Sequence, residues 1–400
     1  EEKRGMGMFN GTLTKQCLEI LEPTAPYQKM VDLYTDDDVG YIAYTYKDQT
    51  GNNQTDTCKY NDKVKLADGS YTFAGSLKNG QSIVVNDNWI QNNIEIYEKK
   101  VPGEVALCTL GGIVEPNIKS DQEYERIAYL TLRMIDICIH KSHYELPHVG
   151  YTAKKRLNAA VGLVGAATSM ARAGVYYSTK AGKQKIHEMA ERHAYFCIKA
   201  SLQLGKELGN APWMHKTKWP AGWLPIDTYN KNVDSIVENK LHYDWQELRA
   251  DIISNGGIRN STVIAHMPTE SSSKASGMPN GWYAIRGGVL KKSDGSNAIE
   301  WHAHDYDLLQ YQYENAYGIP TMDMLEVYAV IQKFTDQATS ADLYKDRILY
   351  PEISTSEMLK EYLHMVKLGV KTTYYQNNLT NKEDETLGLS AGCGSGGCTL

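Results

Sequence analysis

Apolar positions along this chain fall into two regimes. Between about residues 30 and 103 they come as short β-prone runs, Val64 to Leu66, Tyr71 to Phe73 and Ile83 to Val85. Asp68-Gly69 and Asn79-Gly80 sit between these runs. Such dipeptides close antiparallel hairpins, because both residues tolerate positive φ. With eight Asn between 51 and 93, the segment reads as a small β-rich module inserted in the chain.

From 104 onward the pattern becomes α/β. Val105 to Leu110 predicts a buried strand. Ser120 and Glu123 form a capping box ahead of a long helical stretch ending near Pro147. Residues 156–173, rich in Ala and Gly, suit a closely packed helix. A second long helix covers 182–208 and stops at Gly209; a third runs from Trp245 to Ser254, ended by Gly256-Gly257. Ser261 to Ala265 predicts a strand leading into Met267-Pro268-Thr269-Glu270-Ser271-Ser272-Ser273. Helices follow over about 321–337 and 356–368, the latter with a Ser354/Glu357 box and a stop at Gly369. Val370 to Tyr375 predicts a last strand. The tail beyond 376 is polar, then Gly-rich, and is expected to be flexible. No internal repeat is present.

Composition narrows the function classes. At 400 residues the chain is long enough for two or three domains, and 42% hydrophobic residues supply a sizeable core. Lys plus Arg is 42 against 48 Asp plus Glu, a net charge of -6, which argues against gripping DNA by its phosphates. No apolar run reaches the roughly 18 residues of a membrane span. Seven Cys is too few for a disulfide scaffold, and the odd count points to a reducing, cytoplasmic compartment. The start, Glu1-Glu2-Lys3-Arg4, lacks an initiator Met and a signal-peptide core and suggests a fragment or processed piece.

Several residues carry candidate chemistry. Cys393 and Cys398, with four residues between them on a Gly-rich tail, can close a disulfide with little backbone resistance and suit thiol–disulfide exchange; a metal-binding or merely frayed tail is the plainer alternative. Tyr374-Tyr375 could pass a proton and an electron together, yet with 28 Tyr in 400 residues about two such pairs arise by chance, and Tyr176-Tyr177 is another. Cys17 and Glu19 share a face of an extended segment as thiol and carboxylate. Taken alone, a buried cysteine and a surface glutamate is the better reading, and Cys108 in its apolar run reads as an inert core residue. The Thr269–Ser273 loop offers hydroxyls and backbone N–H groups to a phosphate, or is an ordinary helix cap. His302 and His304 could place two imidazoles on a metal, but no second ligand group has suitable spacing, and a surface loop is the better reading.

Taken in order, these pieces resemble one family. Gln16-Cys17-Leu18-Glu19-Ile20, Glu104-Val105-Ala106-Leu107-Cys108-Thr109-Leu110, Leu224-Pro225-Ile226-Asp227-Thr228-Tyr229, Arg259-Asn260-Ser261-Thr262, the Met267–Ser273 loop, Val370-Lys371-Thr372-Thr373-Tyr374-Tyr375-Gln376-Asn377 and the Cys393/Cys398 tail together look like the C-terminal half of the class I ribonucleotide reductase large subunit, of phage or bacterial type. The resemblance implies an α/β fold: the second half of a ten-stranded α/β barrel with a central finger loop. The chain then divides into a finger-loop segment (1–29), the β-rich insertion (30–103), the barrel half (104–376) and a flexible redox tail (377–400). It implies that Cys17 is the radical cysteine that takes the ribose 3′ hydrogen and that Glu19 is the general base. Cys108 matches one of the two reducing cysteines, and Glu270, Ser271 and Ser272 match the substrate-phosphate site. Tyr374 and Tyr375 match the radical relay, and Cys393 and Cys398 the swinging pair reduced by thioredoxin or glutaredoxin. No cofactor is expected on this chain; the radical would come from a diiron-tyrosyl small subunit. ATP and dNTP effectors are expected on a separate N-terminal half, which is a further implied partner. The implied compartment is the cytoplasm, a host's if the chain is phage-encoded.

Three features depart from the family pattern. Lys15 stands where an Asn usually contacts substrate, and an ammonium donates only, whereas an amide also accepts. Cys17 and Cys108 are 91 residues apart (108 − 17), with the β-rich module between them, so the module must bulge outward if both sulfurs approach one substrate. The partner cysteine of Cys108 is absent from the chain, which predicts no turnover without an N-terminal polypeptide. The competing readings are an inactive relative, suggested by Lys15 alone, a zinc hydrolase using His302 and His304, and an interaction protein built on the β-rich module.

Overall fold

The computed structural model describes residues 12–16, 20–24, 41–48, 50–59, 62–85, 89–92, 94–100, 105–144, 147–294 and 297–380. Two short strands, β1 (Thr12–Gln16) and β2 (Ile20–Thr24), pair near the start. The chain separates into two compact units. One holds residues 23–107 and 143–153, the other 1–22, 108–142 and 154–400.

The smaller unit is β-rich. Strands β3 (Tyr41–Lys47), β4 (Asn53–Lys59) and, later, β9 (Glu95–Lys100) form an antiparallel sheet with β3 in the centre. Ile42 and Tyr44, two apart on β3, turn to one face and pack with Val64, Ala74, Leu77, Ile83 and Ile94. Asp68-Gly69 closes the hairpin of β5 (Lys63–Lys65) and β6 (Tyr71–Phe73), with Gly69 at φ +87 as the turn demands. The second turn differs from expectation. Asn79-Gly80 does not join β6 to the next strand; β7 (Ile83–Val85) pairs with β8 (Trp89–Gln91) instead. The cause is burial: Ala74 and Leu77 enter the core, so residues 74–76 coil into a 3-10 turn and lead the chain away from β6.

The larger unit alternates strands and helices. β10 (Thr109–Val114) leads to α1 (Asp121–Lys141) and α2 (Pro147–Arg156); α2 itself begins within the residues of the smaller unit. Ser120 caps α1 by accepting the Glu123 N–H at 3.2 Å, and the Glu123 carboxylate takes the Lys119 N–H at 2.8 Å. The helical stretch ends at Lys141, and Pro147 opens the next helix rather than closing this one. Next come β11 (Ala159–Val164), α3 (Ala166–Ala173) and α4 (Lys180–Leu208), whose C-cap is Gly209 at φ +81. α5 (Pro225–Thr228), α6 (Trp245–Ser254) and α7 (Glu270–Ser276) precede the hairpin β12 (Val289–Asp294) and β13 (Asn297–His302). α8 (Tyr306–Leu309), α9 (Thr321–Gln332), β14 (Leu343–Asp346), α10 (Thr355–Leu368) and β15 (Gln376–Leu379) complete the described chain.

Five extended segments lie side by side, all parallel. β10 pairs β11 from Thr109 opposite Ala159 to Val114 opposite Val164. The Val161 N–H reaches the Val263 carbonyl at 2.8 Å, the His266 N–H reaches Ala338, and the Leu343 N–H reaches Tyr375. β14 and β15 continue in parallel register. Helices fill each crossover, as parallel neighbours require.

Four strand expectations shift here. Val105 to Leu107 is irregular, and the strand starts at Thr109, one residue after Cys108. The Ala/Gly-rich run 156–173 holds a strand before its helix: residues 159–164 are buried on both faces, which outweighs the helix preference of Ala, and Gly165 at φ +86 makes the turn into α3. Residues 261–265 are extended and buried but pair only at isolated bridges, because the Asp336 carboxylate takes the Val263 and Ile264 N–H groups, each at 2.8 Å. Val370 to Tyr375 precedes the last strand rather than forming it; β15 begins at Gln376. The α9 helix likewise stops at Gln332, where residues 333–337 turn toward the fourth extended segment.

Candidate active site

Cys17, Glu19, Cys393 and Cys398 lie outside the described residues. Lys15 falls on β1, two positions before Cys17. The other candidates, Cys108, Glu270 to Ser272, Tyr374 and Tyr375, belong to the larger unit.

Cys108 sits just before β10 and is only 6% exposed. It packs with Ala160 on β11, and with Ala265 and Met267 on the third extended segment. Small residues on the adjacent segments leave room for the sulfur. Gly162 serves the same end: a Cβ there would stand 2.6 Å from the Met267 sulfur. The packing therefore joins the Cys108 motif to Met267, the first residue of the Ser/Thr loop.

That loop is held from behind. Asn280 Oδ1 accepts the Thr269 N–H at 2.6 Å and the Thr269 hydroxyl at 3.1 Å, while Thr269 Oγ1 accepts the Gly281 N–H. Thr269 is thus engaged sideways and makes no side-chain cap on α7. Ser271 and Ser272 are exposed at the helix start, and Glu270 pairs with Lys274 at 3.0 Å. Exposed hydroxyls beside first-turn N–H groups with no side-chain cap are a suitable cradle for an anion.

The Tyr374 hydroxyl donates to the Tyr375 hydroxyl at 3.0 Å, with ring centroids 3.9 Å apart and planes 48° apart. Asp342, before β14, accepts the Tyr375 N–H through Oδ1 at 3.2 Å and the Asn377 amide through Oδ2 at 3.2 Å. Burial pushes the Asp342 carboxyl up to about 6, against the pull of these donors and of Arg286. Asp342, Tyr344 and Arg286 line one side of an open cavity whose other lining residues include Glu270, Ser273 and Lys274. Asp342, which holds the tyrosine segment, and the helix that follows the Ser/Thr loop thus border the same space.

Asp342 and Asp336 had no signal in the sequence. Each is an acid in a buried stretch, and the backbone N–H groups it accepts from lie over thirty residues away in the chain. His304 bonds the Gly277 carbonyl through Nδ1 at 3.1 Å and faces Asp305 at 3.4 Å, while His302 ends β13. Among the described residues, no three His, Cys, Asp or Glu side chains are grouped to hold a metal ion. No described helix is long and apolar enough to cross a membrane.

The family model described as ribonucleotide reductase, barrel domain, matches residues 17–376. The Haemophilus influenzae ribonucleoside-diphosphate reductase subunit alpha is 36% identical over 301 residues, which cover 74% of this chain and 40% of that one. The Escherichia coli ribonucleoside-diphosphate reductase 1 subunit alpha is 36% identical over 265 residues, 64% and 35% of the two chains. The subunit alpha of phage T4 is 34% identical over 282 residues, 68% and 37%. The chain thus spans about 40% of the length of the curated relatives it matches. With a barrel-domain match over most of its length, and with the Cys108 and tyrosine motifs inside the matched region, the chain belongs to the ribonucleotide reductase family.

Proposed function

We propose that this chain is the C-terminal catalytic part of a ribonucleotide reductase large subunit, reducing ribonucleoside diphosphates to deoxyribonucleotides. The observation that carries this reading is the setting of Cys108. A buried thiol packs against the residue that opens the Ser/Thr loop, inside the region matched to the barrel domain. The five parallel segments are what half of a ten-stranded barrel requires, with the finger loop carrying Cys17 from the chain's start.

In this reading a Cys17 thiyl takes the 3′ hydrogen of the ribose and later returns it. Glu19 accepts the 3′-hydroxyl proton while the 2′-hydroxyl leaves as water. Cys108 and a second cysteine, supplied by an N-terminal polypeptide, give two electrons and two protons and close into a disulfide. Cys393 and Cys398 reduce that disulfide by exchange and are themselves reduced by thioredoxin or glutaredoxin. Glu270, Ser271 and Ser272 hold the substrate's phosphates, and Lys15 lies beside the substrate. Tyr374 and Tyr375 relay the radical from a diiron-tyrosyl small subunit. Effector nucleotides act on the N-terminal portion.

The test is reconstitution. This chain, an N-terminal polypeptide, the small subunit and a thiol reductant should together form deoxynucleotides. The same mixture with Cys17→Ser should not. Full turnover by this chain alone, or by the Cys17→Ser mixture, would overturn the reading.

A further inference from the structure

Resting on the relay reading above, we infer that Asp342 is a positioning residue for the tyrosine pair. It fixes the backbone of Tyr375 so that the two phenols meet.

The geometry is specific. In the parallel ladder the Tyr374 N–H is used by the Ala341 carbonyl, and the Tyr375 carbonyl by the Leu343 N–H. The Tyr375 N–H points off the ladder, and the Asp342 carboxylate accepts it. The second oxygen holds Asn377, two residues on, whose amide also reaches the Leu343 carbonyl at 3.4 Å. One side chain therefore grips the chain at the second tyrosine and again just beyond it. Asp342 is itself fixed: Tyr328 donates its hydroxyl to the Asp342 carbonyl at 2.8 Å, and the Tyr344 hydroxyl reaches Oδ2 at 3.4 Å. Tyr328 is fully buried on α9, so this support is rigid.

A carboxylate is a costly choice for a structural fastener at 9% exposure. Burying it is unfavourable unless donors converge on it, and a well-packed apolar residue would serve stability equally well. What an apolar residue cannot do is set the direction of the Tyr375 N–H. Tyr375 is 38% exposed, so core packing alone does not set the position of its ring. Backbone anchorage then helps to keep the two rings at hydrogen-bond distance, where a displacement of about 1 Å can cost a hundredfold in rate.

The experiment compares Asp342→Leu, Asp342→Asn and Tyr375→Phe in the full chain within the reconstituted enzyme. Leu is close in volume and removes the acceptor; Asn keeps an oxygen for the Tyr375 N–H, and Asn377 can turn its amide to match. Asp342→Leu should lower kcat about tenfold or more with KM for substrate within twofold and with the thermal midpoint undiminished. Asp342→Asn should recover most of that loss. In the full chain carrying 3-fluorotyrosine at 375, the 19F resonance should move and broaden with Leu and overlay the parent with Asn. Wild-type kcat and an unmoved 19F signal in Asp342→Leu, while Tyr375→Phe abolishes turnover, would overturn this inference alone. Turnover retained in Tyr375→Phe would overturn the relay reading, and the inference with it.

Discussion

The Tyr374 hydroxyl donates to the hydroxyl of its sequence neighbour Tyr375 across 3.0 Å, a contact that adjacent residues on a regular strand cannot make because their side chains alternate in direction. The pair achieves it in the irregular stretch before β15. Two phenols in direct contact can exchange a proton and an electron without a bridging group. Removing either hydroxyl interrupts that path while leaving the ring. Tyr374→Phe and Tyr375→Phe should each reduce turnover of the reconstituted enzyme to below about 1%, with unfolding free energies within about 0.5 kcal/mol of the parent. Turnover assays and urea titration on the same samples check both halves of the statement.

Cys108 should be chemically essential but structurally replaceable. Its neighbours Ala160, Ala265 and Met267 form an apolar setting in which a Cys behaves as a small hydrophobe. Cys108→Ala removes one sulfur and should cost about 1 kcal/mol. On the proposed mechanism, in which Cys108 is one of two electron-donating thiols, turnover supported by a dithiol reductant should vanish all the same. Far-ultraviolet dichroism with a turnover assay separates the two effects.

Gly162→Ala offers a complementary probe of the same pocket. The new methyl group would collide with the Met267 sulfur and press on the Ala265 carbonyl at 3.3 Å. Met267, which packs against Cys108, must shift to make room. The expected cost is about 1–3 kcal/mol, as for other overpacked sites, together with a measurable change in the alkylation rate of Cys108, followed by peptide mapping.

How much of this was legible in the sequence depended on how local the cause was. Caps and stops are local. Ser120 with Glu123, Gly209, Ser354 and Gly369 placed the helices they bound within a residue or two. Strand bounds depart from the local pattern wherever a distant group decides pairing. The Asp336 carboxylate, more than seventy positions from Val263, occupies the N–H groups that would otherwise extend the ladder. Packing on both faces turned the Ala-rich 159–164 run into a strand. For the site, motif order revealed the family, yet Asp342 carries no motif and becomes visible only when β14 and β15 lie together.

Arg259 and Asp136 should dominate the stability of the larger unit's helical layer. Arg259 Nε reaches Asp136 Oδ1 at 2.7 Å, and Nη1 reaches the Leu208 and Gly209 carbonyls at the end of α4. Both side chains are largely buried. Arg259→Ala leaves a buried carboxylate and orphaned helix-end carbonyls, for a cost of about 3–5 kcal/mol. The double variant Arg259→Leu/Asp136→Leu should be much less damaging than the sum of its single changes, which a double-mutant cycle in urea would read out.

His193 should make the fold sensitive to mild acid. Its ring lies buried between the Tyr124 hydroxyl, 2.8 Å from Nδ1, and the Val161 carbonyl, 3.0 Å from Nε2. A neutral ring that donates from Nε2 and accepts at Nδ1 satisfies both partners. Protonation would set a second N–H against a buried site, and burial lowers the pKa from 6.5 to about 4. The unfolded chain therefore binds this proton first as pH falls. The stability contributed by neutral His193 is complete above pH 6.5 and is lost as pH drops toward 4, by up to about 3 kcal/mol. Asp336 and Asp342 run the other way. Their carboxyls are raised from 3.8 to about 6, so their burial cost is relieved over much of the same interval. The parent's acid profile is consequently a partial cancellation, and the histidine's share emerges only by difference. His193→Gln keeps a donor and an acceptor without the titration. The stability of the parent minus that of His193→Gln, measured by urea unfolding at each pH, should be flat from pH 7.5 to 6.5 and fall steadily from 6.5 to 4. A difference that stays level throughout would mean that the imidazole is already solvated in the folded chain.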